Sequence, residues 1–521
     1  MLNVLLHLRV FRRLSLLASL IVGFVTSGIA LGQMETMRFE LGRRLTRFER
    51  VWEAADNQGR AACVETMDGA VRSFFGLQLD TAAQLLDRAT QNVLGDAVSA
   101  SPHWLASNRY SIDFETTWVD AQGGALRFRL RQIGSPQTSN EVPSDRNGTL
   151  KLAILNGNHP INSMDWKDVI PLSNTEAKEN VAKGNGISQG SESPKETWYT
   201  WELPNLPPGD YQVSAICQSG DVESDLIAES ISVSSDLESR MQKVQSWYEE
   251  NRRIKGNTLV STAKWLAREL RQGLKGEPTE IDIPWNAWLT DFEALRDQQG
   301  DYLKSIAHDS KRSFWLQLNS GEKSQIVRLR FPLNASPKLP VLFAFHGAGG
   351  SENMFFEAYG AGRLIDLANQ RGWLVVSPRQ SLSGLGMDIE EMLNELEAWF
   401  PIDRERVMLV GHSMGAAQAV NQVSIHPNSV QAVAALGGGG MPRSSLKTNP
   451  VPFFVAAGDR DFGRPRAKSL ADSLRNLNCP VDYRDYANVE HMVIVQAALN
   501  DVFAFLDDVA KDQKDSPAGG N

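Results

Sequence analysis

The amino-acid sequence predicts a multidomain protein in which a doubly wound, mostly parallel α/β sheet follows a β-sandwich and helical segments. Three observations lead to this prediction. From about residue 313 onward, short apolar runs alternate with helical stretches, a pattern typical of parallel strands buried on both faces. In several stretches of 101–235, apolar residues occupy every second position, as in half-buried strands. In 33–100 and 236–312, apolar residues recur at three- and four-residue spacing, which indicates helices.

The composition is that of an acidic globular protein. The chain has 521 residues, of which 42% are hydrophobic and 22% charged, and its net charge is −9. This excludes collagen-like and disordered chains, and the length suggests roughly two to four domains. A nucleic-acid partner is not expected, because binding to phosphates requires a basic face. Cys63, Cys217 and Cys479 contain no CxxC pair and predict no metal site; they can form one disulfide plus a free thiol, or three free thiols.

Residues 1–32 predict a targeting segment. Three arginines near the start precede the uncharged stretch 14–32, which ends in small residues suited to cleavage. A basic start followed by an apolar run is typical of a signal peptide. The stretch is also just long enough to cross a bilayer, so an uncleaved N-terminal anchor is the alternative. We therefore expect an exported protein, periplasmic or extracellular, that contacts a membrane only if the segment stays attached.

The region between the targeting segment and the α/β sheet divides into three predicted parts. Residues 33–100 form a helical segment, 101–235 an immunoglobulin-like β-sandwich with a long polar loop at 173–197, and 236–312 a helical linker. Within the sandwich, 206–213 resembles the turn and strand found late in immunoglobulin-like modules. The tryptophans of this region are expected in the core, with carbohydrate contact through an exposed indole as the functional alternative. They are Trp104, Trp118, Trp166, Trp198 and Trp201.

The region 313–510 is expected to be the catalytic domain, followed by a disordered tail at 511–521. Its predicted strands are an edge strand at 326–331 and buried strands at 341–345, 373–377, 407–410, 430–435 and 452–456. Its predicted helices are 361–371, 389–400, 414–426 and 465–477. Ligands bind at the carboxyl ends of strands in such sheets, so functional residues are expected there.

A GxSxG motif stands at one of these strand ends. The strand at 407–410 is followed by Gly411-His412-Ser413-Met414-Gly415 and then by a predicted helix. A sharp strand-to-helix turn of this kind projects a serine hydroxyl above the sheet, and its glycines avoid steric clashes. Ser413 is therefore the predicted nucleophile.

A serine nucleophile needs a base that is oriented by an acid. Of the eight histidines, only His491 follows the next two predicted strands, and it precedes a C-terminal helix. The acid is expected after the strand at 452–456, where Asp459 and Asp461 compete. Asp461 is preferred because its position lets the turn close before the side chain points back at the histidine. Asp459 is the alternative acid, although it is better suited to capping the turn.

Acyl transfer also needs N–H donors for the oxyanion. One expected donor is the backbone N–H of Met414, at the start of the helix that follows the nucleophile. The second is expected from the glycine-rich segment after the strand at 341–345, with Ala348 preferred and Gly347 as the alternative. A phosphate cradle is the competing interpretation, but the segment lacks the lysine of a Walker motif. We call this segment the oxyanion loop: His346, Gly347, Ala348, Gly349 and Gly350.

The segments FAFHGAGGS, LVGHSMG, AAGDRD and VEHM resemble, in this order, the oxyanion loop, nucleophile elbow, acid turn and histidine turn of the α/β-hydrolase superfamily. HGAGG with GHSMG, and the run IDRERV at 402–407, resemble more narrowly secreted esterases of the polyhydroxybutyrate depolymerase and feruloyl esterase type. The resemblance extends over about two-fifths of the chain. It implies a serine esterase that uses a Ser-Asp-His triad, an acyl-enzyme and no cofactor.

The expected substrate is therefore a small-molecule or polymer ester. The loops 380–387, 437–450 and 462–466 are expected to form the acyl pocket and any lid. Two other functions stay open at this point. One is a prolyl-oligopeptidase-like serine peptidase, although no propeller repeat is visible. The other is a catalytically inactive binding protein, since a fold does not fix a reaction.

Overall fold

The computed structural model describes residues 28–95, 110–132, 147–156, 159–171, 198–219, 222–298, 300–309, 312–380 and 386–515. The predicted targeting segment lies outside these residues, apart from its last five positions. The predicted polar loop at 173–197 and Trp104 also lie outside them. None of the described helices combines the length and the apolar character needed to span a bilayer.

The described chain begins with a group of helices that we call the N-terminal bundle: α1 (Gly28–Ala54), α2 (Asn57–Phe75) and α3 (Leu79–Leu94). Helix α1 starts inside the predicted targeting segment, at Gly28. Asp56 caps α2 by accepting a hydrogen bond from the N–H of Gly59. The bundle also contains a buried ion pair, because the guanidinium of Arg44 lies 3.1 Å from the carboxylate of Asp87. Apolar side chains at helical spacing fill the rest of its interior.

The described residues between 110 and 234 form two β-sheets around one apolar core. The strands are β1 (Tyr110–Phe114), β2 (Trp118–Asp120), β3 (Gly124–Gln132), β4 (Asn147–Asn156), β5 (His159–Pro171), β6 (Trp198–Leu203), β7 (Gly209–Ser219), β8 (Val222–Asp225), β9 (Ile227–Ala228) and β10 (Ile231–Ser234). One sheet has the order β6-β3-β1-β9, and the other has the order β2-β10-β7-β4-β5 with β8 paired to β7. Side chains from both sheets share one cluster, as expected from the two-residue periodicity. The immunoglobulin-like classification stays a prediction.

The tryptophans of this region differ in environment. Trp201 and Trp118 are buried, and the Trp118 indole N–H donates a 2.9 Å hydrogen bond to Ser234 Oγ. Trp198 is half-buried beneath the guanidinium groups of Arg127 and Arg129. The side chain of Trp166 lies outside the described residues. Core packing therefore accounts for Trp118 and Trp201, and the carbohydrate contact stays a prediction.

The stretch that the sequence led us to interpret as a linker contains the helices α4 (Leu237–Asn251), α5 (Thr258–Gly273), α6 (Trp285–Gln298) and α7 (Gly300–Ile306). The apolar sides of these helices share one core with the C-terminal sheet. Within it, the ring centroids of Trp265 and Trp288 are 5.0 Å apart, and those of Trp288 and Trp315 are 5.1 Å apart. The helices therefore cover one face of that sheet as well as connecting two parts of the chain.

The C-terminal sheet has the order β11-β12-β14-β13-β15-β16-β17-β18. Its strands are β11 (Phe314–Ser320), β12 (Lys323–Arg330), β13 (Leu339–Phe345), β14 (Leu374–Pro378), β15 (Ile402–His412), β16 (Ala432–Leu436), β17 (Phe453–Gly458) and β18 (Val481–Tyr486). Strands β11 and β12 are antiparallel to their neighbours, and the other pairs are parallel. The sheet has β11 and β18 at its edges. The predicted edge strand, β12, lies inside the sheet because β11 pairs with its outer side. The edge strand β18 was not predicted, since its half-buried polar residues lack an apolar run.

Helices cover both faces of this sheet: α8 (Met354–Glu357), α9 (Arg363–Gln370), α10 (Ile389–Glu397), α11 (Met414–Ile425), α12 (Ser445–Thr448), α13 (Arg464–Asn476) and α14 (Ile494–Asp515), with 3-10 turns at Tyr359–Gly362 and Pro427–Ser429. The side chains of β13 alternate between two cores. Phe343 belongs to the core with α4–α7, and Leu342 to the core with the N-terminal bundle. Because both faces are covered, the strands are continuous apolar runs.

The C-terminal end of the chain differs from the sequence prediction. Helix α14 continues to Asp515, five residues into the predicted disordered tail. An ion pair of 3.4 Å between Lys511 and Asp508 spans one helical turn there, which favours continuation of the helix. Residues 516–521 lie outside the described residues.

The cysteines are not paired. Cys63, Cys217 and Cys479 are buried free thiols in three separate parts of the chain. Of the two arrangements that the sequence left open, the structure contains three free thiols. Burial raises the pKa of the Cys63 thiol to about 12. The thiolate form of this side chain is therefore strongly disfavoured.

Candidate active site

Ser413 occupies a strained turn between β15 and α11. Its backbone has φ 57° and ψ −114°, an unusual conformation for a residue with a side chain. Such backbone strain costs about 1–3 kcal/mol and concentrates at functional sites. The surrounding structure holds the turn in place, since the Ser413 N–H donates a 2.8 Å hydrogen bond to the carbonyl of Leu436 on β16. The half-buried serine thus stands where the sheet ends, as GxSxG predicted.

The glycines of the motif are required by close backbone contacts. A Cβ atom on Gly411 would overlap the carbonyl of Gly415. A Cβ atom on Gly415 would overlap the carbonyl of Phe345, at the end of β13. Helix α11 therefore approaches the strand ends more closely than any larger residue allows.

The structure brings three of the predicted site residues together. His491 Nε2 lies 2.9 Å from Ser413 Oγ, and His491 Nδ1 lies 2.7 Å from Asp461 Oδ1. The same carboxylate oxygen accepts a 2.6 Å hydrogen bond from the N–H of Gly463. His491 and Asp461 are both buried. With the Nδ1 proton directed at the carboxylate, Nε2 is free to accept the serine proton.

The alternative acid, Asp459, has a different contact. Its Oδ1 accepts a 2.9 Å hydrogen bond from the backbone N–H of Asn488, and its side chain is exposed. This bond joins the turn after β17 to the turn that precedes His491. Asp459 thus stabilises a turn, while Asp461 is the carboxylate that contacts the histidine.

The turn that carries His491 depends on a second buried carboxylate. Glu490 accepts 2.8 Å hydrogen bonds from the N–H groups of Met492 and Val493, just before α14. Burial raises the pKa of Glu490 to about 7, although both hydrogen bonds oppose this shift. The sequence analysis missed this residue, because an acid beside a histidine is common on protein surfaces.

The oxyanion loop follows β13 and lies beside Ser413. His346 is buried, and burial lowers its pKa to about 4, so the ring is neutral near pH 7. Its Nδ1 lies 2.8 Å from the carbonyl of Gly347, and its Nε2 accepts a 3.1 Å hydrogen bond from the N–H of Gln380. The N–H of Gly347 points at the hydroxyl of Tyr359, 3.4 Å away. This contact occupies the alternative donor and favours Ala348 as the donor from this loop.

The other expected oxyanion donor is the N–H of Met414. Met414 is the first residue of α11. The first N–H groups of a helix have no partner within the helix, and the helix dipole favours negative charge at this end. Within the described part of the chain, no cluster of three or more His, Cys, Asp or Glu side chains could hold a metal ion.

An eight-stranded, mostly parallel sheet with a strained elbow serine, followed along the chain by an acid and then a histidine, is the arrangement of one superfamily. The C-terminal region has the α/β-hydrolase fold. Helix α11 follows the turn that carries Ser413, and the turns that carry Asp461 and His491 follow β17 and β18. The fold class that the sequence predicts for this region is confirmed.

Comparisons with known proteins return esterases. A region of 147 residues, or 26% of the chain, is 28% identical to the bifunctional acetylxylan esterase/xylanase of Neocallimastix patriciarum. The match spans about a fifth of that relative (21%). No protein-family model matches the chain.

Solved structures similar to the chain include a ferulic acid esterase and Est1E of Butyrivibrio proteoclasticus. The ferulic acid esterase is 19% identical with a TM-score of 0.33, and the match covers 38% of this chain and 98% of that one. Est1E is 12% identical with a TM-score of 0.32, and the match covers 38% of this chain and 99% of that one.

The N-terminal bundle forms one wall of the candidate site. A cavity of about 380 Å³ lies between α1, α2 and the oxyanion loop, and Ser413 and His491 line it. Arg38 of α1 donates a 2.8 Å hydrogen bond to the carbonyl of Gly349, and the Phe74 ring of α2 packs on the same glycine. The sequence analysis missed this wall, because a helical stretch more than 250 residues away from the motifs has no local signal for it.

The loops expected to form the acyl pocket contribute none of the described residues that line this cavity. Among the described residues, neither 437–450 nor 462–466 lines the cavity, and 381–385 lie outside the described residues. The loop 462–466 borders the histidine instead, with the ring centroid of Phe462 4.0 Å from that of His491. Phe75 of α2 lies near both rings. That the loops 380–387, 437–450 and 462–466 form the acyl pocket and any lid stays a prediction.

Proposed function

We propose that this protein is an exported serine hydrolase that cleaves carboxylic esters through an acyl-enzyme. The observation that supports the proposal best is the hydrogen-bonded series from Ser413 through His491 to the buried Asp461, at the carboxyl ends of the strands. A serine hydroxyl is a weak nucleophile without such a base and acid. Export follows from residues 1–32, whose charge pattern is that of a signal peptide.

In the proposed mechanism, Ser413 Oγ attacks the ester carbonyl while His491 Nε2 accepts its proton. The carbonyl oxygen becomes an oxyanion held by the N–H groups of Ala348 and Met414. His491 then gives the proton to the leaving alcohol, and the acyl group stays on Ser413. Water enters, His491 takes its proton, and the carboxylic acid leaves as the Ser413 hydroxyl is restored. Asp461 orients the imidazole and stabilises its positive charge in both steps.

Hydrolysis of p-nitrophenyl acetate and butyrate by the full chain tests the proposal. Ser413→Ala should abolish turnover, and a fluorophosphonate should label the wild type but not this variant. Ser473→Ala is the matched control, because Ser473 is half-buried on α13 and its hydroxyl bonds only to the carbonyl of Ser469 within the described residues. It should leave turnover and labelling unchanged.

Three results would contradict the proposal. Equal turnover by the wild type and Ser413→Ala would exclude Ser413 as the nucleophile. A folded wild type without turnover or labelling would favour the inactive binding protein. Labelling with cleavage of peptides but not esters would favour the peptidase. Because the matching relative is named an acetylxylan esterase, acetylated xylan belongs in the substrate panel.

A further inference from the structure

We propose that the cavity between the N-terminal bundle and the oxyanion loop binds the acyl group of the substrate, and that this group is uncharged, apolar and larger than acetyl. The inference rests on the proposed function and adds the substrate class to it. It also gives the N-terminal bundle a role in catalysis, as the part of the chain that selects the acyl group.

Most of the cavity wall is apolar. The side chains that α1, α2 and the α8 region contribute to this wall are hydrocarbon, and most of them are buried. They lie beside the oxyanion loop and are Phe39, Leu45, Met67, Val71, Phe74 and Phe356. Ligand sites of roughly 300–1,000 Å³ with such linings are typical of small apolar molecules. The cavity has a volume of about 380 Å³, whereas one water molecule occupies about 30 Å³ in the liquid. An acetyl group, with only three heavy atoms, would therefore leave most of the cavity empty.

Three arginines line the cavity: Arg38 and Arg43 are paired with carboxylates, and Arg50 is exposed. Arg38 lies 3.2 Å from the carboxylate of Glu280, and Arg43 forms an ion pair with Asp282. Both carboxylates come from the segment between α5 and α6, so two arginines of α1 are neutralised by another part of the chain. A substrate carboxylate placed here would have to compete with these existing partners. The pairing favours an uncharged ligand.

The position of His491 distinguishes the acyl side of the site from the alcohol side. His491 must protonate the leaving alcohol, so the alcohol lies next to this ring. The aromatic neighbours of His491 face solvent, with Phe462 54% exposed and Phe75 39% exposed. The buried apolar side chains of the cavity come instead from α1, α2 and the α8 region. The alcohol is therefore assigned to the exposed side, next to Phe462, and the acyl group to the buried apolar side.

Gly42 offers a direct test of this assignment. It lies in the middle of α1 and lines the cavity, and a Cβ atom built on it meets no atom within 4 Å. Larger side chains at this position therefore extend into open space rather than into the packed core. Gly42→Leu and Gly42→Phe form a graded series that reduces the room for an acyl chain.

The experiment compares kcat/KM for p-nitrophenyl acetate, butyrate and octanoate in the full chain. The wild type should prefer octanoate to acetate by at least about tenfold. The octanoate-to-acetate ratio should fall in Gly42→Leu and fall at least about tenfold in Gly42→Phe. Ala61→Phe is the matched control, because Ala61 is exposed on α2 and lies outside the cavity lining. It should leave the ratio within about twofold of the wild type.

A ratio that is the same in Gly42→Phe and the wild type would overturn the inference. A wild type that prefers acetate would overturn it as well. Acetyl esters of ethanol and octanol test the other side, and a Gly42→Phe defect that follows the alcohol would overturn the acyl assignment. If the wild type and Ser413→Ala are equally inactive on all esters, the proposed function itself fails and the inference fails with it.

Discussion

The hydroxyl of Tyr359 lies 2.8 Å from Nδ1 of the buried His412, the residue that precedes the nucleophile. The other ring nitrogen of His412 lies 2.8 Å from the backbone carbonyl of His491. Burial lowers the pKa of His412 well below its ordinary value, so the ring is neutral. Nε2–H therefore donates to the carbonyl, and Nδ1 accepts from Tyr359. Since Tyr359 also receives the N–H of Gly347, this series of contacts ties the oxyanion loop to the histidine turn.

We expect Tyr359→Phe to lower kcat by about tenfold with little change in KM, because the oxyanion loop loses its anchor while the cavity keeps its shape. The unfolding free energy should fall by about 1–3 kcal/mol, since the buried His412 Nδ1 loses its donor. Steady-state kinetics and denaturant unfolding measure the two effects. Tyr302→Phe is the control, because its hydroxyl bonds to Asp291 and the residue does not line the cavity. A stability loss in both variants with unchanged kcat in Tyr359→Phe would exclude the positioning role.

The two carboxylates after β17 make a matched pair for mutation. Asp461→Asn should lower kcat by roughly 10³–10⁴, because the amide cannot stabilise the charged imidazole or hold the Nδ1–H tautomer. Asp459→Asn should change kcat by less than about threefold, since Asp459 accepts only the N–H of Asn488 and an amide oxygen can do the same. The same esterase assay measures both variants. A larger loss in Asp459→Asn than in Asp461→Asn would reverse the assignment of the acid.

The sequence predicted the C-terminal α/β sheet well, because its signals are local. A strand buried on both faces is an apolar run, and an elbow serine needs glycines where a Cβ would overlap backbone. The positions of Ser413, Asp461 and His491 follow from these signals and from the order of the motifs. The strand β18 escaped prediction because, at the edge of the sheet, its side chains are half-buried and polar.

The walls of the site were less predictable. Helical periodicity shows that α1 and α2 bury an apolar side, but it does not show which surface they bury it against. The contact of Phe74 with Gly349 joins residues 275 positions apart, and no spacing rule reaches that far. Tyr359 and His412 were missed for the same reason. A buried side chain that holds another residue in place has no motif of its own.

The close approach of α11 to the strand ends predicts a severe effect of a single methyl group. Gly415→Ala places a Cβ against the carbonyl of Phe345, so the helix or the strand end must move. We expect a loss of more than about 2 kcal/mol in unfolding free energy, together with a loss of esterase activity as Ser413 is displaced. Calorimetry and the ester assay check both effects. Ala61→Gly, on an exposed helix position, should cost about 1 kcal/mol or less, and a Gly415→Ala variant as stable as that control would contradict the packing argument.

The buried Glu490 predicts that stability falls as the pH rises. The pKa of its carboxyl is raised to about 7 in the fold, against an ordinary value of 4.5. A raised pKa means that the folded protein favours the neutral carboxyl. The contribution of Glu490 to the unfolding free energy is therefore fully present below the pKa that this carboxyl has in the unfolded chain, and it is lost as the pH rises through 7. The amide of Glu490→Gln cannot ionise, so this substitution changes the unfolding free energy by an amount that does not depend on pH. Between about pH 5 and about pH 8.5, the wild type should therefore lose roughly 2–4 kcal/mol of unfolding free energy relative to Glu490→Gln.

Denaturant unfolding at several pH values measures this difference, with Glu65→Gln, an exposed position on α2, as the control. A difference between wild type and Glu490→Gln that stays constant over this range would mean that the Glu490 carboxylate is stabilised by its N–H donors and ionises at an ordinary pH.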